Sequence, residues 1–220
     1  MKLNNMRTGC KDVFHAFMVT DADYDGELEF PKIEPQNEGP NRVINFSKSL
    51  RCNDANQWIH FYEDDYLFER IWNQPRKYLP LFKKYNGVIL PDFSLYYDMP
   101  LVMQCWNIYR SRAIGTWLQR NGIKVIPNCR FGDSRTFDIT CAGLAKHSII
   151  AIGSIGCIQD KTYRPTFIQG TKHVIEHLDP SQLVIVGSVP QEIQDFCKKR
   201  NIPILQFESE TKQVFRKGEN

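Results

Sequence analysis

Ser148-Ile-Ile-Ala-Ile-Gly-Ser-Ile-Gly-Cys157 places a short, unbroken apolar run directly before a glycine turn. A strand with one wet face alternates apolar and polar residues, whereas a strand buried on both faces reads as a continuous β-branched run. The same order of run, turn and helix-length segment recurs along the chain. Further runs of this kind are Trp58-Ile-His-Phe61, Gly87-Val-Ile-Leu90, Lys124-Val-Ile126, Leu183-Val-Ile-Val186 and Pro203-Ile-Leu-Gln-Phe207. Strands alternating with helices imply a mostly parallel sheet joined by right-handed crossovers. The expected class is therefore α/β, and both an open sheet and an incomplete β/α barrel satisfy the strand count.

Two helices are marked by their ends. Met99 to Asn121 has Asp98 as a capping residue, Pro100 in its first turn and Gly122 just past its end. Val102, Trp106, Tyr109, Ala113 and Trp117 recur at helical spacing as its expected packing stripe. A second helix is expected from Ser188-Val-Pro-Gln191, which has capping-box spacing, to about Asn201. Residues 1–50 differ: their short runs are broken by Pro31, Pro35 and Pro40, which reads as a small antiparallel cap or edge. The expected organisation is one domain over 1–220, with strand-helix repeats over 57–207.

Composition narrows the function classes. The chain has 220 residues, 42% of them hydrophobic and 12% aromatic, which is enough to build a folded core. No apolar run approaches the roughly 20 residues that span a bilayer, and the polar start has no signal-peptide pattern, so a cytoplasmic protein without membrane contact is expected. A net charge of +3 falls short of the basic footprint of a dedicated nucleic-acid binder. Seven scattered cysteines with no Cys-x-x-Cys pair argue against a disulfide framework and a cysteine zinc site. Glu63-Asp64-Asp65 and Lys198-Lys199-Arg200 read as solvated element ends.

Thr20-Asp-Ala-Asp-Tyr-Asp-Gly-Glu-Leu-Glu-Phe-Pro-Lys32 imitates a calcium loop. Asp21, Asp23, Asp25 and Gly26 fit the first half, but Lys32 stands where the closing bidentate carboxylate belongs. Asp25-Gly26 between apolar runs is the stronger signal, and it is that of a hairpin. No metal site is expected here, and no motif names a cofactor.

In parallel α/β folds ligands bind at the carboxyl ends of the strands, where loops collect polar groups before helix N-termini. After Leu90 come Asp92, Ser94 and Tyr97; after Ile126 come Asn128, Arg130 and Asp133; after Ile152 come Gly153, Ser154, Gly156 and Cys157; after Val186 comes Ser188. Asp92, with Asp133, is the candidate catalytic acid or base, and the alternative for Asp92 is an Asx turn. Arg130 can bind a phosphate or carboxylate, or serve as a salt bridge to Asp92 or Asp133. The Gly153–Gly156 turn can cradle an anion, and glycine there can equally serve a tight turn. Cys157 is the cysteine placed in a strand-end loop ahead of a helix. His173 and His177, four apart, share a helix face but lack the flanking Glu of a zinc-protease helix, and are read as a surface pair.

Pro91-Asp-Phe-Ser94, Asp98-Met-Pro100, Gln104, Asn107-Ile-Tyr-Arg110, Gly122-Ile-Lys-Val-Ile-Pro127 and Gly153-Ser-Ile-Gly-Cys157 together carry a family resemblance. Over about residues 14–207 the sequence resembles the domain of unknown function numbered forty-four seventeen, found in bacteria, phages and mobile genetic elements. The resemblance implies that the N-terminal hairpin belongs to the same domain and suggests a phage or mobile-element setting; Asn107 and Arg110, which stand in these motifs, are further candidate ligand-binding residues. It implies no reaction.

Three functions fit these residues. In the first, a phosphate-bearing small molecule, of the nucleotide class, is bound or processed at the strand ends. In the second, Arg110, Arg112, Arg120, Arg130 and Arg135, interleaved with Trp106, Tyr109 and Trp117, contact nucleic acid as an accessory factor. In the third, the chain binds a protein, as a phage factor blocking a host enzyme would. The first is the reading taken forward.

Overall fold

The computed structural model describes residues 11–208. Seven parallel strands follow one another within them: β3 Val43–Asn45, β4 Trp58–His60, β5 Gly87–Ile89, β6 Val125–Ile126, β7 Ile149–Gly153, β8 Gln182–Val186 and β9 Ile204–Phe207. Ladders join β3 through β6 and β7 through β9. The gap between the two groups is closed by Cys129 N–H on the Ala151 carbonyl and Ala151 N–H on the Pro127 carbonyl, each 2.9 Å.

A parallel series in chain order sends every right-handed crossover to one side. The helices are α1 Phe46–Ser49, α2 Asp65–Asn73, α3 Pro75–Phe82, α4 Leu101–Arg120, α5 Arg164–Leu178 and α6 Gln191–Lys199. Outward side chains Ile59, Val88, Leu90 and Val125 pack with Phe68, Ile71, Trp117 and Leu118. Ile150, Ile152, Leu183 and Ile185 pack with Val174, Ile175 and Ile193. The alternate residues Trp58, Ile89, Ile126, Ile149, Ala151, Val184 and Val186 are buried among themselves, with Val43, Leu205 and Phe207 beside them and no helix residue in the group. Strand side chains that cover one another without a helix define a curled sheet.

Contact across the curl confirms it. A Cβ on Gly153, the last residue of β7, would lie 2.3 Å from the ring of Tyr62, after β4, although two strands separate them. β3 and β9 are unpaired with each other, so the structure is an incomplete barrel. Residues 36–39 cross its amino end, where Gln36 accepts from Ile149 N–H and Glu38 bridges to Lys124.

The six anticipated strands are present within one residue at each end. Residues 42–46 are not part of the antiparallel cap, because Val43–Asn45 pairs in parallel with β4 and opens the barrel series. The antiparallel element is the hairpin of β1 Tyr24–Asp25 and β2 Phe30–Pro31, which is the calcium-like stretch itself. Gly26 and Glu29 turn it with positive φ of 65° and 53°, and Asp25 accepts from Gly143 N–H at 2.9 Å.

Both helix starts move inward from the expected positions. α4 is preceded by Pro100 rather than Asp98, and α6 by Pro190 rather than Ser188; neither has a side-chain cap. The expected stripe of α4 holds only in its second half: Ala113 and Trp117 are buried, whereas Val102 is 74% and Trp106 42% exposed. Gln104, Arg110, Ser111 and Arg112 are buried instead. Polar anchors replaced apolar ones there, and helical spacing of apolar residues cannot detect that exchange. Among the described residues no helix is long and apolar enough to cross a membrane.

Candidate functional site

The carboxyl ends of β4, β5, β6 and β7 surround a cavity of ≈ 650 Å³. Tyr62, Glu63, Asp64 and Asp65 come from the end of β4, Asp92 and Ser94 to Tyr97 from β5, Arg130 from β6, and Gly153, Ile155, Gly156 and Cys157 from β7. Tyr66, in the first turn of α2, and Asp160 and Tyr163, ahead of α5, complete it. Each group reaches the mouth for one reason: a buried strand ends, and the chain turns there with polar residues.

Asp92 and Arg130 form its centre. Asn128 donates to Asp92 Oδ1 at 2.7 Å and accepts from the Tyr62 hydroxyl at 2.9 Å. Arg130 Nη1 stands 3.7 Å from Asp92 Oδ2 and donates to Cys157 Sγ at 3.2 Å. The Nε of Arg130 is buried without a partner. Burial pushes the Asp92 carboxyl above its ordinary pKa, against the opposing pull of Arg130 and Asn128. Burial also works against the Arg130 charge, but Asp92, Cys157 and Tyr163 together outweigh it and hold the guanidinium protonated. Cys157 is raised by burial as well, so its sulfur is a thiol that accepts from Arg130 rather than an activated thiolate.

The turn after β7 uses some of its N–H groups and leaves others. Ser154 N–H goes to the Val186 carbonyl and Cys157 N–H to the Ser154 carbonyl. Ile155 and Gly156 line the cavity, and their N–H groups make no backbone hydrogen bond among the described residues.

The structure divides the sequence candidates. Asp92, Ser94, Tyr97, Arg130, Gly153, Gly156 and Cys157 meet in the cavity, with Asn128 directly behind Asp92. Ser94 is fixed by Asp65, which takes its N–H at 3.0 Å and its hydroxyl at 2.7 Å. Asn107 and Arg110 stand outside and brace the loop: Asn107 donates to the Ser94 carbonyl, and Arg110 bridges Asn107 to Glu69 over the Phe93 ring. Asp133 is outside too, capping a short turn and chelating Arg135; those bonds hold its pKa down to about 2. Ser154 points its hydroxyl toward Val186 and Gly187, and Ser188 does not line the cavity.

Sequence reasoning passed over Tyr62 to Asp65. The acidic run looked like a solvated end, yet it follows a strand and obeys the rule applied to the other loops. Five acidic residues, Glu63, Asp64, Asp65, Asp92 and Asp160, line the cavity with one arginine, Arg130; the carboxylate of Glu63 accepts from Ser47 N–H, that of Asp65 from Ser94 and that of Asp160 from the N–H groups of Thr162 and Tyr163.

A family model described as a domain of unknown function, DUF4417, matches residues 22–208. The chain belongs to this DUF4417 family. The match contains every cavity residue, so the strand-end cavity is part of the DUF4417 domain. Among curated proteins, the Gene 1 protein of Mycobacterium phage D29 is 33% identical over 145 residues, covering 66% of this chain and 52% of the phage protein. The Gene 1 protein of Mycobacterium phage L5 is 37% identical over 131 residues, covering 60% of this chain and 57% of the relative. The alignments thus span little more than half the length of these curated relatives.

Proposed function

We propose that the strand-end cavity binds a phosphate-bearing small molecule of the nucleotide class. The observation that carries this reading is Arg130: it lines the cavity together with Ile155 and Gly156, its Nε is buried without a partner, and the N–H groups of Ile155 and Gly156 make no backbone hydrogen bond among the described residues. A fork of charged donors beside free backbone N–H groups suits a tetrahedral anion. Tyr66, Tyr96 and Tyr97, exposed at the cavity, offer flat faces to a base or sugar. The acidic residues oppose a bare polyanion, so a divalent ion held by one or two carboxylates and the phosphate fits the charge balance. Asp92, buried and raised in pKa, is the group suited to exchange a proton with such a ligand.

The nucleic-acid alternative has less support, because its arginines are dispersed. Arg112 is buried, Arg120 binds the Phe17 carbonyl, Arg135 binds Asp133, and Arg110 pairs with Glu69. A protein partner is favoured by one feature, the exposed Leu101, Val102, Met103 and Trp106 at the start of α4.

Native mass spectrometry of the freshly purified protein, with nucleoside monophosphates added in the presence and absence of Mg²⁺, tests the first reading. A one-to-one adduct lost in Arg130→Ala supports it. No adduct at millimolar ligand, or co-purified nucleic acid that salt removes, overturns it.

A further inference from the structure

His173 and His177, one turn apart on α5, do not stand alone. Asp138, from the connection between β6 and β7, turns its carboxylate onto both: Oδ1 lies 2.7 Å from His173 Nε2 and 3.9 Å from His177 Nδ1. One ligand atom from each residue falls within 4.8 Å of the other two. Two ligands bound at about 2.0–2.1 Å to one ion stand no more than about 4.2 Å apart, so small side-chain rotations on this surface close the set. Asp138 precedes the short turn Ile139–Cys141 but makes no side-chain cap bond to it, so the turn does not consume the carboxylate.

We propose that Asp138, His173 and His177 form a binding site for a zinc-class transition-metal ion, with water in the remaining positions, which clips α5 to the β6–β7 connection. Two imidazoles and one carboxylate are the borderline donor set that Zn²⁺ accepts and that Mg²⁺ or Ca²⁺, which prefer all-oxygen shells, do not. His173 presents Nε2 and His177 presents Nδ1, so both rings bind as neutral tautomers. The site is separate from the cavity. α5 starts beside cavity residue Tyr163, and at 1.5 Å per residue His173 and His177 lie about 14 Å and about 20 Å further along it. The metal joins segments that meet here chiefly through side chains, the ring of Phe137 lying 5.7 Å from that of His173. Its role is that of a staple on the outside of the barrel, and it does not depend on what the cavity binds.

The test is calorimetric titration of metal-free protein with ZnCl₂, repeated on His177→Ala and Asp138→Asn. Both substitutions are at exposed positions, and circular dichroism checks that the fold persists. The expected result is one equivalent of zinc, with affinity reduced in each variant by more than the roughly 10–100-fold that loss of a mere outer-shell partner costs. Thermal unfolding should shift upward with zinc in the unsubstituted protein, and less in either variant. Cobalt(II) in place of zinc should give visible bands without the intense near-ultraviolet band of thiolate ligation. Absence of saturable binding, unchanged affinity in both variants, or a strong thiolate-to-cobalt band would each overturn the site, the last by assigning the metal to cysteines.

Discussion

Arg130 Nη1 lies 3.7 Å from Asp92 Oδ2, beyond hydrogen-bond reach, while Asn128 holds the other carboxylate oxygen at 2.7 Å. The two charges therefore stabilise each other through space and leave guanidinium donors uncommitted. Arg130→Lys should keep the charge balance and the fold, with a stability loss within about 1 kcal/mol, yet remove most of the affinity for a phosphate ligand, because the planar fork is gone. Arg130→Ala should cost roughly 3 kcal/mol, since it strands a buried carboxylate. Urea midpoints and ligand titrations on the two variants separate these effects; equal stability losses would contradict the through-space pairing.

His60 supplies a pH signature. It is buried in β4 and accepts the Tyr62 N–H at Nδ1, and burial lowers its pKa from 6.5 to about 3. The unfolded chain takes up a proton near pH 6.5 and the folded chain does not until about pH 3. Protons thus favour the unfolded state through that window, and stability falls as pH falls across it, by an amount on the order of 4 kcal/mol. In His60→Gln this component of the slope should vanish, which denaturant titrations at pH 7, 5 and 4 would reveal. A variant with an undiminished slope would show that other groups carry it.

How much of this was legible in the sequence depends on the kind of signal. Doubly buried strands announce themselves through runs such as Ile149 to Ile152, and chain-order alternation with helices restricts the topology to a parallel series. Curling was not legible, because it depends on contacts such as Tyr62 against Gly153, made by residues 91 positions apart. The rule that polar loops gather at strand ends anticipated that Asp92, Arg130 and Cys157 would meet, and the three line one cavity. It failed where a charged run was judged by composition, as at Glu63 to Asp65, and where a loop residue had a local partner, as Asp133 has in Arg135. The role of His173 and His177 needed Asp138, a residue 35 positions away whose approach no local pattern encodes.

Arg112 provides a stability prediction. It is 1% exposed, and its guanidinium donates to the carbonyls of Ala142, Thr140 and Asn128 at 3.3, 2.6 and 3.2 Å. Carbonyl dipoles, with no carboxylate in the set, neutralise the charge, and burial lowers the guanidinium pKa. Arg112→Met fills much of the volume but leaves three acceptors unsatisfied, for an expected loss of about 3–5 kcal/mol. Arg112→Lys should recover only part of this, because one ammonium cannot reproduce the fork. Chemical denaturation gives the answer directly, and a Met variant as stable as the parent would mean that water or a rearranged backbone meets those carbonyls.

Gly153 tests the link between packing and the cavity. An alanine there would place its Cβ 2.3 Å from one Tyr62 ring carbon and 2.5 Å from another, so the ring must move. The Tyr62 hydroxyl would then lose Asn128, and Asn128 would lose the bond that orients its amide toward Asp92. Overpacking of this kind costs about 1–3 kcal/mol, which leaves a folded protein. Gly153→Ala should therefore retain its secondary structure while losing ligand affinity as severely as Arg130→Lys. Tyr62→Phe, which keeps the ring and deletes only the hydroxyl, should lie between the parent and Gly153→Ala in affinity. If Tyr62→Phe binds like the parent and Gly153→Ala does not, the alanine acts by closing the cavity rather than through Asn128. If both bind like the parent, the Tyr62-Asn128-Asp92 chain has no part in recognition.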